Sequence, residues 1–351
     1  MNEANKNMND RESTPFQNVI SDLLDNNKPF SAVHHHRFSD PSSDELAEIK
    51  KVWPQVNPDR KAALLEGLEL LTETDYLLCF DDLCYFVIED QDPRVRASAA
   101  RILSEAKNPK LIPRFIEMMK NDDDEVVRAT AASVLGVFVY LGELEEISLE
   151  SFKMVENSLL EIYNSGNREI IRRKALESLG FSNSNEIARY IKDAYASEKM
   201  GWRSSALVAM TRTADNRWNQ YVIDALEETD EEIRIEAIRA AGELEIGSAR
   251  PTLLEILSDF EFLDSEIRLA LIWSLSQIGG GSTRQAIESL LKLSDDFEDI
   301  EFIETALENL RLTDGFQKSY DMFLFDDQDE IDEIDSETRF DDIEDEDEDI
   351  F

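Results

Sequence analysis

Histidine is nearly absent from this sequence. His34, His35 and His36 are adjacent, and no other occurs in 351 positions. The chain beyond them therefore offers no imidazole general base. Three neighbouring rings on a polar loop hold a transition metal only weakly, because a defined site needs further ligands in fixed geometry. No metal site is expected. Cysteine is as scarce, with Cys79 and Cys84 five apart in a stretch that reads as helix. Five residues turn a helix by about 140°, which puts the thiols on different faces and argues against a local bridge or a metal pair. Two buried structural thiols suit a reducing compartment.

Basic residues are also few: 36 Lys and Arg face 77 Asp and Glu, for a formal net charge of -41. Nucleic-acid affinity comes largely from Lys and Arg releasing counterions, so nucleic acid is not expected as a partner. Anionic membranes are disfavoured for the same reason. The charge favours a basic protein surface. No stretch approaches the roughly 18 uninterrupted apolar residues of a membrane-spanning helix. The N-terminus lacks a basic region followed by an apolar run, and the expected location is the cytoplasm. Phosphate loops, nucleophile elbows, His-Glu zinc motifs and Cys clusters are missing too. No catalytic residue and no cofactor is expected, which favours a protein that is not an enzyme.

What the chain does have is a repeat. Residues 1–42 are polar apart from an amphipathic piece, Phe16 to Leu24, and read as a mostly disordered arm. Helical order begins near Ser43, where Ser42-Ser43-Asp44-Glu45 offers a cap and early acids. From there an arginine followed three positions later by alanine recurs: Arg60, Arg96, Arg128, Arg172, Arg203 and Arg234, with Arg268 carrying Leu271 in the alanine slot. A copy without the arginine follows at Phe302-Ile303-Glu304-Thr305-Ala306. Spacings of 36, 32, 44, 31, 31, 34 and 35 average about 35 residues, the length of one helical hairpin.

The residue before the arginine is apolar (Val95, Val127, Ile171, Trp202, Ile233, Ile267). With the alanine four positions later and apolar residues three or four beyond, it makes one face of a helix. Eight residues after the arginine the side chain is usually small, as at Gly136, Gly180 and Gly242. Glycine late in a helix costs roughly 1 kcal/mol against alanine, so its recurrence predicts a helix end or a close helix crossing. A second amphipathic segment precedes each such helix, and nothing in 43–312 reads as a strand.

A cation in a helix's first turn opposes the helix dipole and calls for a carboxylate. Four residues before the arginine stand Asp92, Asp124, Asp230 and Asp264, each at or near an N-cap. Arg96, Arg128, Arg172, Arg203, Arg234 and Arg268 are therefore read as a structural ladder, each reaching a loop aspartate of an adjacent repeat. Side chains five residues after the arginine lie off the main apolar face. Among these Arg101, Glu177, Arg239 and Trp273 are the candidate partner-binding residues, although Trp273 in particular could simply pack against the next helix.

The apolar-Arg-x-x-Ala cores, with a preceding Asp as in Asp92-Pro93, resemble the HEAT-repeat family and its bacterial HEAT-like members over roughly residues 58–312. The resemblance implies an all-α fold: a right-handed α-solenoid of about seven to eight antiparallel helix pairs, here over 43–312. It also implies a concave face lined by the second helices and used chiefly to bind proteins. Among HEAT-like relatives with enzymatic associations, the alkylpurine DNA glycosylases need a basic concave face, which this charge opposes. The bilin lyases, which deliver a chromophore to a partner protein, stay as one alternative.

Residues 313–351 form an acidic tail, read as mostly disordered. From Asp321 on it holds seventeen Asp and Glu against Arg339 alone, interleaved with apolar residues such as Phe323 and Phe325. A chaperone-like binder of basic proteins acting through this tail is the other alternative. The preferred reading is a monomeric, non-enzymatic scaffold that holds a protein partner, a basic one being favoured by charge.

Overall fold

Aspartate caps and first-turn prolines start the helices of this chain, and the repeated apolar face pairs them. The computed structural model describes residues 15–260, 263–293, 297, 299–313 and 315, and among these the regular structure is helical, with no strand. The chain divides into two compact units, one ending at Ala214 and the other beginning at Asp215. The acidic segment from residue 316 onward lies outside the described residues, and the expectation of disorder there lies outside them too.

In the first unit, Phe16–Leu24 (α1) and Ser43–Val52 (α2) precede the long helix Pro58–Thr74 (α3). Pairs then follow: Asp81–Val87 (α4) with Pro93–Glu105 (α5), and Ile112–Asn121 (α6) with Glu125–Glu143 (α7). Leu149–Tyr163 (α8) pairs with Glu169–Leu179 (α9), and Asn185–Tyr195 (α10) with Met200–Arg212 (α11). Each first helix packs on the second helix of its own pair, and α3, α5, α7, α9 and α11 lie against one another in sequence. The second unit repeats the plan with Asn219–Ala225 (α12) on Glu231–Glu243 (α13) and Arg250–Ser258 (α14) on Ser265–Ile278 (α15). Helix α13 packs along α15, Gly281–Leu293 (α16) follows, and residues 299–313 are helical.

The predicted apolar face is the buried one. Val95, Val127, Ile171, Ile233 and Ile267 are buried beneath the neighbouring helices, as are Ala99, Ala131, Ala175, Ala206, Ala237 and Leu271. Burial of each Val, Ile or Leu contributes about 2 kcal/mol. Small alanines four positions on let the next helix approach. Helix α7 is the described helix long and apolar enough to cross a bilayer, yet over half of its apolar window is buried within the protein. Its contacts with α5, α6, α8 and α9 account for the apolar composition. Cys84 is fully buried in α4, while Cys79 lies in the preceding loop and not in a helix.

The recurrent glycines stand at close crossings. A Cβ at Gly180 would lie 2.6 Å from the carbonyl oxygen of Ala209 on α11, and one at Gly242 would lie 2.6 Å from Ser274 Cα on α15. Helix ends use other residues: Lys107, Glu145, Ala214 and Glu245, each two residues past a second helix, take the left-handed conformation with φ between 49° and 59°. This is the position glycine usually fills.

Residues 15–42, read from sequence as mostly disordered, are instead ordered. Val19, Leu23 and Phe38 are fully buried, and Ala32–Phe38 forms 3-10 turns. The cause lies in a repeat arginine far along the chain. The Arg60 guanidinium donates to the carbonyls of Asp22 (3.2 Å), Asp25 (2.5 Å) and Lys28, satisfying the open C-terminal end of α1. His35 rests on α3 over Gly67, where any Cβ would collide with its ring. Burial first, then the neighbouring His36 and His34, hold the His35 imidazole below its ordinary value.

A depressed histidine pKa favours the neutral ring, so this contact is fully present above the unfolded value of about 6.5. It is lost as pH falls from there through the folded value. Tryptic cleavage after Arg37 is expected to accelerate between pH 7.5 and 5.5, once corrected for the protease's own pH profile. His35→Gln should cleave at one corrected rate across that range. An unchanged pH response in His35→Gln would contradict this role.

Candidate partner-binding surface

The residues expected as a ladder have two jobs. The four aspartates cap helices: Asp92 accepts from the Arg94 amide, Asp124 from Val126 and Val127, Asp230 from Ile233 and Asp264 from Glu266, all within 3.2 Å. The arginines bridge to other groups. Arg96 reaches a loop aspartate of the next repeat, Asp122, through two bonds of 2.9 and 2.7 Å, and adds the carbonyls of Asp90 and Gln91. Arg128 donates to Asn167 in the corresponding next loop and to the Met119 carbonyl.

Further along, the acceptor changes from carboxylate to ring. Arg172 bonds the Tyr163 carbonyl and lies over Trp202, with 5.2 Å to the centroid. Arg203 lies over Tyr195 and Arg268 over Phe260. Arg234 keeps a buried Nε without a hydrogen-bond partner. The expected loop aspartate thus serves Arg96; Arg128 uses a loop asparagine, and aromatic faces serve later repeats through cation–π attraction.

Sequence reasoning called for a loop aspartate of an adjacent repeat without singling out Asp90 or Asp122. Asp90 accepts from Trp53 Nε1 (2.6 Å), Lys61 Nζ (2.8 Å) and the Asp92 amide. Burial would raise the Asp90 carboxyl, but Lys61, the Asp92 amide and Trp53 together hold it below the usual carboxylate range. At Asp122 burial acts the same way, and Arg96 with the Asp124 amide reverses it. The available signal was the spacing in Asp90-Gln91-Asp92 and Asp122-Asp123-Asp124: the first residue accepts from the amide of the third, which caps the helix.

The candidate row at the fifth position separates into buried and presented residues. Glu177 is a correction, since it is only 3% exposed and not offered to a partner. It accepts from Ser205 Oγ on α11 (2.7 Å) and from Lys174 (2.7 Å), because a carboxylate packed between α9 and α11 must be paired there. Arg173 donates to the same Ser205 oxygen at 2.9 Å.

Arg101 and Arg239 remain part-exposed at the edges of cavities. Arg101 is clamped by Glu69 across α3 and α5 (2.5 and 2.9 Å) beside a cavity of about 250 Å³ that also takes in Thr72 and Val137. Arg239 pairs with Glu236 (2.8 Å) and with Glu266 on α15 (2.7 Å). Beside it a cavity of about 330 Å³ is walled by Glu243, Trp273, Gln277 and Phe302. Trp273 is 38% exposed, whereas Trp53, Trp202 and Trp218 are buried. It does lean on a neighbouring helix, with its ring 6.3 Å from Phe302, and still remains part-exposed.

Within each unit, notches between successive second helices thus carry a paired arginine at the rim, and in the second unit an open indole. Their chemistry suits capture of side chains, with apolar walls and carboxylates available to donors.

A family model for HEAT repeats matches residues 56–138 and 219–311. No curated protein matches the sequence. Among solved structures, the chain is similar to the CpcE–CpcF complex of phycocyanin lyase from Nostoc sp. PCC7120, at 15% identity over 66% of this chain and 94% of that one, with a TM-score of 0.42. It is also similar to human deoxyhypusine hydroxylase, at 15% identity over 87% and 98% of the two chains and a TM-score of 0.36. Importin beta is similar at 13% identity over 84% of this chain and 46% of that one, with a TM-score of 0.41.

Proposed function

Since the chain belongs to the HEAT-repeat family, we propose that it is a non-enzymatic scaffold holding another protein on the presented row of its second helices. One observation carries the reading. Where the repeated apolar and alanine positions are buried, the fifth position leaves Trp273 part-exposed beside a cavity edged by Arg239. An exposed indole beside an arginine is the composition that dominates binding energy at protein interfaces. The net charge of -41 favours a basic partner, because long-range attraction raises the encounter rate. A monomeric cytoplasmic protein belongs to the same proposal.

The test is quantitative capture of a partner from cell extract with the full chain, Trp273→Ala, Arg239→Ala and a chain ending at Tyr320. Trp273→Ala should weaken the captured complex by about 2 kcal/mol, roughly thirtyfold, at a melting temperature within about 3 °C of the parent. Retention of the partner by Trp273→Ala, with loss on removing the tail, would replace this reading by the tail-centred one.

A further inference from the structure

The cavity walled by Trp273 holds an unmet set of interactions, and these have one chemistry in common. The chain stacks cations on two of its tryptophans from within: Lys61 lies over Trp53 at 5.1 Å and Arg172 over Trp202 at 5.2 Å. Among the described residues no cation stands over Trp273, the most exposed of the four. The cation in the same lining, Arg239, is committed at the rim to Glu236 and Glu266. Beside the indole, the carboxamide oxygen of Gln277 is buried without a hydrogen-bond partner. It lies over Gly242, where a Cβ would stand 2.6 Å from it, so the glycine makes the room. A buried acceptor without a donor is costly, roughly 1–3 kcal/mol, and a ligand that brings the donor would offset that cost.

Glu243 completes the wall, exposed and without an ion pair among the described residues. With Glu266 already paired to Arg239, the cavity lining leaves Glu243 as its unpaired carboxylate, together with the Trp273 indole and the unpartnered Gln277 oxygen. We infer that this notch is a receptor for an arginine side chain presented by the partner. A guanidinium is planar, stacks on an indole, and has five N–H donors to divide between Gln277 and a carboxylate. An ammonium is more strongly hydrated and matches the indole less well. The inference rests on the protein-binding reading and supplies the feature of the partner that the notch recognises.

The probe is acetyl-Gly-Arg-Gly-amide, added to the full chain labelled with ¹⁵N at the tryptophan indoles, with the Trp273 signal assigned through Trp273→Phe. The arginine peptide should shift the Trp273 Nε1–H resonance saturably, leaving Trp53, Trp202 and Trp218 unmoved. The lysine counterpart should bind several-fold more weakly and the isosteric, uncharged citrulline peptide at least about tenfold more weakly. Gln277→Leu should weaken the arginine peptide by about fivefold or more, its other three indole signals reporting an intact fold. Equal binding of citrulline or of lysine, movement of all four indoles together, or no loss in Gln277→Leu would each overturn the proposal. Should the notch fail while Trp273→Ala still loses the captured partner, the scaffold reading stands and only the arginine receptor falls.

Discussion

Arg96→Leu is expected to destabilise the first unit by about 3 kcal/mol, because it leaves a buried carboxylate behind. The side chains of Arg96 and Asp122 are 14% and 9% exposed, so solvent screens them little. Removing the guanidinium takes away both bonds to Asp122 and those to the Asp90 and Gln91 carbonyls. For a unit of this size that corresponds to a fall of roughly 6–12 °C in melting temperature. Arg234→Leu should cost far less, because its Nε already lacks a partner.

The pH dependence has a definite sign. Asp122 is held below its ordinary value in the folded state, so its contribution is complete above the unfolded carboxyl value of about 4. It disappears as pH falls from there through the folded value. The gap between wild type and Arg96→Leu should therefore be widest near neutral pH and narrow below about pH 4. Thermal melts followed by circular dichroism measure both. Equal losses from Arg96→Leu and Arg234→Leu would mean that the pairing with Asp122 is not what stabilises this repeat.

Gly180→Ala should destabilise by about 2 kcal/mol even though alanine is the better helix former. The intrinsic gain is at most about 1 kcal/mol. Against it, the new Cβ would stand 2.6 Å from Ala209 O and 2.7 Å from Ala209 Cα. Both obstacles are main chain, so α9 and α11 would have to separate, and overpacking of this kind costs about 1–3 kcal/mol. Separation would also strain the Glu177–Ser205 bond that crosses the same interface. Gly247→Ala is the control: nothing lies within 4 Å of a Cβ there, and a neutral result is expected. A stabilised Gly180→Ala would show that these helices can part freely.

The helical repeat was legible because its signals are local. The apolar residue before each arginine and the alanine after it share one helical face, and the burial of Val95, Val127, Ile233, Ala99, Ala131 and Ala237 follows that face. The aspartate caps were legible for the same reason. What escaped were pairings decided across loops. Arg60 orders an arm some thirty-five residues upstream, and no window of the sequence contains both partners. The ladder reading called for a loop aspartate without saying which one, and Asp90 and Asp122 are identified only once Lys61 and Arg96 are placed beside them. Glu177 shares its register with Arg101 and Arg239, yet Ser205 on the following helix draws it inside. Register identifies the face a residue starts from, and the neighbouring helix decides whether it is covered.

The central claim is that the repeated arginines stabilise the fold while the part-exposed positions bind. One measurement separates the two: the dissociation constant of a captured partner for Arg96→Leu and for Trp273→Ala, each taken at a temperature where both variants are folded. The account predicts that Arg96→Leu, though less stable, binds within about twofold of the parent, and that Trp273→Ala, with nearly parental stability, binds roughly thirtyfold more weakly. Weak binding by Arg96→Leu together with parental binding by Trp273→Ala would contradict it.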